Sequence, residues 1–197
     1  MTDPLFFAIM ILYPTDTIYG LGVNALDRNE LKQLFELKGR DASKSVSWLV
    51  RTVADIERYA VLSEKAKVIA EHFLPGPITF VVPSRVKYGD DYLRFEDDCI
   101  GFRIVPDPVT QNLVEEYMAA HDAPLTATSA NRSGQMVLET PQEILEQLGE
   151  YASAIDRVID DGPRSGIPST VVKIVGDTVT FGREGAISAH DILKILE

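Results

Sequence analysis

Of 197 residues, one is cysteine, one tryptophan and three histidine, and each shortage removes a class of chemistry. A lone Cys99 closes no internal disulfide, which sets the expectation of a reducing, cytoplasmic setting. Without a Cys/His cluster the usual zinc spacings are missing, and no resident metal is expected. No apolar run approaches the ~20 residues that span a bilayer. The most apolar N-terminal stretch, Leu5 to Tyr13, lacks the basic flank and cleavage pattern of a signal peptide, so no membrane partner is expected. Cations are scarce too: 19 Lys+Arg stand against 30 Asp+Glu, for a net charge of −11. That balance opposes nucleic-acid binding through bulk charge, since phosphate neutralisation needs a basic face. Small-molecule chemistry is the better expectation, with room for a local basic pocket inside an acidic shell.

What is present is ordinary for a globular chain: 45% hydrophobic and 25% charged residues, with Gly and Pro scattered rather than gathered in a linker. One domain, 1–197, is expected. Ala8 to Tyr13 reads as a buried strand stopped by Pro14. Asp27 to Lys38 reads as a helix with Asp27 as N-cap and Gly39 as stop, Val46 to Val50 as a strand, and Val53 to Tyr59 and Ser63 to Phe73 as two helices. Ile78 to Val82 and Cys99 to Val105 have strand composition; the polar stretch Arg85 to Asp98 between them has no clear assignment. Pro106 to Ala120 and Pro141 to Leu148, the latter capped by Thr140, are helical, and Leu125 to Thr128 is a short strand. Ile155 to Ile159, Thr170 to Val175 and Thr178 to Phe181 are strands, the last two joined through Gly176-Asp177, and Ser188 to Leu196 is a closing helix. Strands and helices mix without strict alternation. The pattern predicts an α/β fold of the α+β type, with a twisted, mainly mixed sheet flanked by helices.

Five polar segments stand at or between the apolar runs: 13–22, 38–40, 128–134, 168–170 and 182–185. Loops at strand ends are where open α/β sheets bind ligands. Each segment also has a plain reading. Thr15-Asp16-Thr17 after a proline makes a turn; Lys38 and Arg40 suit the negative pole of a helix; Ser129, Asn131, Ser133 and Gly134 cap nearby backbone. The alternative is that a Lys and an Arg around a flexible Gly converge on phosphate or carboxylate, beside hydroxyls and N–H groups able to wrap a polyphosphate. Neither Walker-A spacing nor GxGxxG nor GxSxG occurs. His72, His121 and His190 fall in or beside helices, and the pairs Asp90-Asp91, Asp97-Asp98 and Asp160-Asp161 read as solvated turns. Spacing alone names no reaction.

Taken collinearly, YPTDTIYGLG at 13–22, KGR at 38–40, PGPITFVV at 75–82, GFR at 101–103, TSANRSG at 128–134, DDG…PSTVV at 160–172 and GREGAI at 182–187 resemble the YrdC/TsaC family of threonylcarbamoyl-AMP synthases. The resemblance implies a single YrdC-like domain that joins L-threonine, bicarbonate and ATP, with Mg2+, into threonylcarbamoyl adenylate and pyrophosphate. The product would feed a tRNA modification completed by separate threonylcarbamoyl-transfer proteins. It further implies Lys38 and Arg40 as catalytic residues, Thr17, Tyr19, Arg103 and Ser169 around threonine or its carbamate, and Thr79, Ser129, Asn131, Ser133 and Arg183 around the nucleotide. Three departures accompany it: Asp41 stands where the family has a proline, Lys44-Ser45-Val46 where it has a Lys/Asn-Pro-Leu step, and only Met1 to Phe7 where most members carry a helix and a Gly turn before the first strand. The competing expectations are an RNA-binding or ribosome-maturation module and a paralogue with altered or lost activity.

Overall fold

The computed structural model describes residues 10–40, 46–85 and 98–197. In chain order the elements are β1 (Ile11–Tyr13), β2 (Gly20–Gly22), α1 (Arg28–Lys38), β3 (Ser47–Leu49), α2 (Val53–Tyr59), α3 (Glu64–Phe73), β4 (Ile78–Pro83) and β5 (Cys99–Arg103). There follow α4 (Pro108–His121), β6 (Leu125–Ser129), α5 (Pro141–Leu148), a 3-10 turn (Gly149–Ala154), β7 (Arg157–Val158), β8 (Thr170–Val175), β9 (Thr178–Arg183) and α6 (Ala189–Lys194).

Side-chain caps set the helix starts. Asp27 accepts from the N–H groups of Asn29 and Glu30, and Gly39 ends α1 at φ 55°, in the left-handed region. Ser63, Thr140 and Ser188 cap α3, α5 and α6, the second through a reciprocal box with Glu143. Asp107 caps α4 with Pro108 inside its first turn, two residues later than the sequence places that start.

Among the described residues the strands form one nine-stranded sheet, in the order β7-β1-β2-β6-β3-β5-β4-β8-β9. The pairs β1·β7, β3·β5 and β4·β8 are parallel and the others antiparallel, so the sheet is mixed, as its irregular alternation predicts. Its centre is apolar: Trp48 is fully buried, with Tyr59 and Phe102 edge-on at 5.3 and 5.7 Å.

The structure corrects two expectations. Gly20 to Gly22, read as loop, is a strand. A Cβ on Gly20 would lie 2.7 Å from the Tyr13 ring and one on Gly22 2.6 Å from Leu125, so these glycines let bulky partners cross the ladder. Ile155 to Ile159 shrinks to Arg157–Val158, the residues in register with Ile11 and Leu12. The 3-10 turn after α5 carries no signature that distinguishes it from loop. Three earlier readings fall on residues outside those described: the start of the first strand at Ala8, the altered loop from Asp41 to Ser45, and the stretch between Arg85 and Asp98. No helix among the described residues is long and apolar enough to cross a membrane.

Candidate functional site

Sheet register assembles the site. Thr79 pairs with Val171, and Val171 with Arg183. Arg103 ends β5 one step beyond the Phe80–Phe102 pair, which places it opposite Thr79. Residues in register point to the same face, so Arg103, Thr79, Val171 and Arg183 form one row across four strands. A second row comes from Tyr13 opposite Gly20 and Gly20 opposite Ser129, with Ser47 opposite Ala127 two residues away along β6 on the same face. Between the rows lies a cavity of about 210 Å³ whose lining includes Thr17, Tyr19, Arg40, Thr79, Arg103, Ser129, Ser169 and Arg183. Eight of the eleven residues singled out from the sequence therefore face one hollow.

The remaining three, Lys38, Asn131 and Ser133, do not line it. Lys38 is buried at 3% exposure, and its ammonium donates to the carbonyl oxygens of Ser129 at 2.5 Å and Asn131 at 2.8 Å. Burial, and to a lesser degree the positive charge of Arg40, pull its pKa down to about 7. Asn131 accepts from the Ser129 hydroxyl at 2.6 Å and donates to the Gln135 carbonyl, also at 2.6 Å. Ser133 is exposed, and its N–H donates to the Lys38 carbonyl at 2.8 Å. The Lys38 ammonium and the Ser133 N–H fasten the 128–135 segment to the end of α1, and the Asn131 amide braces it from within, so that Ser129 is presented to the cavity.

Arg40 follows the Gly39 cap, its N–H bonded to the Phe35 carbonyl. Its guanidinium donates to the Thr128 hydroxyl at 3.3 Å, and burial holds its pKa below the usual range. Arg183 reaches in from an exposed position at the rim, donates to the Ser169 carbonyl at 2.8 and 3.1 Å, and is depressed first by desolvation and then by the charge of Arg103. Thr79 and Ser169 share a hydroxyl–hydroxyl bond of 2.8 Å beside it. Three guanidinium groups with hydroxyls between them make an electropositive hollow in a protein of charge −11, a place suited to an anion.

The loop after β1 is rigid. The Thr15 hydroxyl accepts from the N–H groups of Thr17 and Ile18 and donates to the Ile18 carbonyl, and Arg164 donates to the Thr15 carbonyl at 3.0 Å. Gly166 donates its N–H to the Thr17 carbonyl at 2.8 Å, which stitches the 160–169 segment alongside. Tyr19 borders the hollow, but its hydroxyl is committed elsewhere, donating to the Gly162 carbonyl and accepting from the Asp161 N–H. Sequence reasoning missed Asp16, Arg164 and Gly166 as builders of this wall. Asp16 lay inside a motif already noted, whereas nothing local marks Arg164 or Gly166.

A family model for Sua5, YciO and YrdC proteins, described as "Telomere recombination", matches residues 9–185. A putative threonylcarbamoyl-AMP synthase of Methanocaldococcus jannaschii is 35% identical over 186 residues, 94% of this chain and 84% of the relative. The threonylcarbamoyl-AMP synthase of Pyrococcus abyssi is 31% identical over 192 residues, 95% of this chain and 53% of the relative. The crystal structure of P. abyssi Sua5 complexed with L-threonine superposes with a TM-score of 0.85 at 28% identity, over 98% of this chain and 55% of that one. The chain thus spans about half the length of the Pyrococcus relatives.

Proposed function

We propose, from the premise that this chain belongs to the Sua5–YciO–YrdC family, that its cavity makes threonylcarbamoyl adenylate and pyrophosphate from L-threonine, bicarbonate and ATP. The single observation that carries the reading is the convergence of Arg40, Arg103 and Arg183 with the hydroxyls of Thr17, Thr79, Ser129 and Ser169 on one hollow. The threonine amine takes up the CO2 of bicarbonate, with release of water, to give a carbamate; a carbamate oxygen attacks the α-phosphorus, the bond to the bridging oxygen breaks, and pyrophosphate leaves with that electron pair. The substrate is its own nucleophile, in keeping with a sequence that has no GxSxG or comparable nucleophile motif.

The chain's contribution is then position and charge. Arg103 and Ser169 hold the amino-acid carboxylate, Thr17 and Tyr19 shape the pocket around it, and Arg40, Ser129, Thr79 and Arg183 bind phosphate oxygens and stabilise the charge that builds on them. Lys38, Asn131 and Ser133 serve by holding the Ser129 loop. Among the described residues no three His, Cys, Asp or Glu side chains gather as a metal site. Hydroxyls and guanidinium groups suit phosphate, so magnesium enters as the ATP complex, neutralising phosphate charge. The adenylate passes to tRNA-modifying transfer proteins.

Pyrophosphate release tests this. Purified protein given Mg-ATP should release pyrophosphate at a rate that falls to background when either threonine or bicarbonate is left out. Release independent of both would overturn the assignment.

A further inference from the structure

Asp16 stands between the two threonines of the rigid turn after β1, and its Oδ1 accepts from Nη2 of Arg103 at 2.7 Å. Both side chains are close to nine-tenths buried, at 13% and 9% exposure. The contact is single-pointed: Asp16 Oδ2 and Arg103 Nε are buried without a hydrogen-bond partner among the described residues. A carboxylate placed only to neutralise an arginine would gain most from a two-pronged grip. Here the backbone carries the aim. The carbonyl oxygens of Pro14, Thr15, Thr17 and Ile18 accept from Thr110, Arg164, Gly166 and Thr15 respectively, so both flanks of Asp16 are fixed. The opposing force is also present, since Arg183 stands on the same row of the sheet and lines the same cavity, and two like charges facing one hollow repel.

We infer that Asp16 is a positioning residue: its carboxylate restrains the Arg103 guanidinium against repulsion from Arg183, so that the free part of the fork meets the carboxylate of the amino-acid substrate. The inference rests on the proposed function and adds to it a determinant of amino-acid affinity. Asp16 is not among the residues that line the cavity. Its effect reaches the ligand through Arg103 and is therefore specific to ligands that carry a carboxylate.

Calorimetric titration of L-threonine and of L-threoninamide, which lacks the anionic group, into wild type and Asp16→Asn tests it. The variant should bind threonine about tenfold more weakly, in line with loss of one charged contact, while its affinity for the amide changes less than twofold. Asp16→Glu, which keeps the charge on a longer arm, should show the same carboxylate-specific loss; near-wild-type threonine binding there would mean that Asp16 only neutralises, and would overturn the inference. Equal losses for both ligands in Asp16→Asn would overturn it as well. Should Asp16→Asn fail to fold, by circular dichroism, the glutamate variant decides alone. Wild type that binds neither ligand would instead remove the functional reading beneath it, a different result from wild type that binds threonine while the variants lose both ligands alike.

Discussion

Arg40→Ala should lower kcat/KM for adenylate formation by about 10²–10³-fold, the range for removing one preorganised donor from a charge-stabilising site. The side chain sits where its charge has most effect: half-buried in the cavity wall, bonded to Thr128, and held by its surroundings below the usual guanidinium pKa although still charged. A desolvated cation of this kind is stabilised by an arriving anion. Arg40→Lys should recover only part of the loss, because a point charge cannot reproduce the planar fork. Thermal stability should change little. The contacts that end α1, the Gly39 and Arg40 N–H groups on the Glu36 and Phe35 carbonyls, are backbone bonds that the substitution leaves in place. Steady-state kinetics with a melting curve separates the two effects, and an Arg40→Ala protein with wild-type turnover would remove Arg40 from the site.

Lys38→Met is the second large effect and acts by another route. The ammonium holds the carbonyls of Ser129 and Asn131, and a thioether chain of similar length leaves both acceptors without their donor. The loop should shift, and a displacement of about 1 Å at a positioning group costs on the order of 10²-fold in rate. A pH signature accompanies it. Burial disfavours the charged form, so the folded-state pKa of about 7 lies below the ordinary lysine value of 10.5. Between these values the unfolded chain binds more protons than the folded one, and stability therefore rises with pH across that window. Lys38→Met removes this component. In urea titrations at pH 7 and pH 9.5, wild type should gain on the variant as pH rises; a stability difference that does not vary with pH would contradict the buried-ammonium account.

The helix boundaries were legible because capping is local. Asp27, Ser63, Thr140 and Ser188 act on N–H groups two or three residues away, and each stands beside the apolar period it starts. The turn at Gly176-Asp177 was legible for the same reason, a short-range backbone requirement written in two residues. Register is not local. That Arg103, Thr79 and Arg183 share a row depends on pairings among residues 79 to 183, which no window along the chain contains. The resemblance to the family's motifs nonetheless named those residues, Thr79 and Arg103 by that route alone, since neither lies in the polar segments that composition picks out.

Lys38 and Tyr19 show the limit of that reading. Both belong to the site's motifs, yet the lysine faces the backbone of the neighbouring loop and the tyrosine hydroxyl faces the 160–162 turn. Composition identifies a polar group near a ligand but not the direction in which it points. Asp16 illustrates the converse: its neighbours read as turn formers, which they are, and the turn is what aims the carboxylate.

A crystal structure of the protein with L-threonine and a non-hydrolysable ATP analogue tests most directly whether segments far apart in the chain build one site for both reactants. The account predicts the amino-acid carboxylate against Arg103 and Ser169, and the triphosphate within reach of Arg40, Ser129 and Arg183, in the same cavity. Either ligand bound elsewhere on the molecule, with the cavity left to solvent, would contradict it.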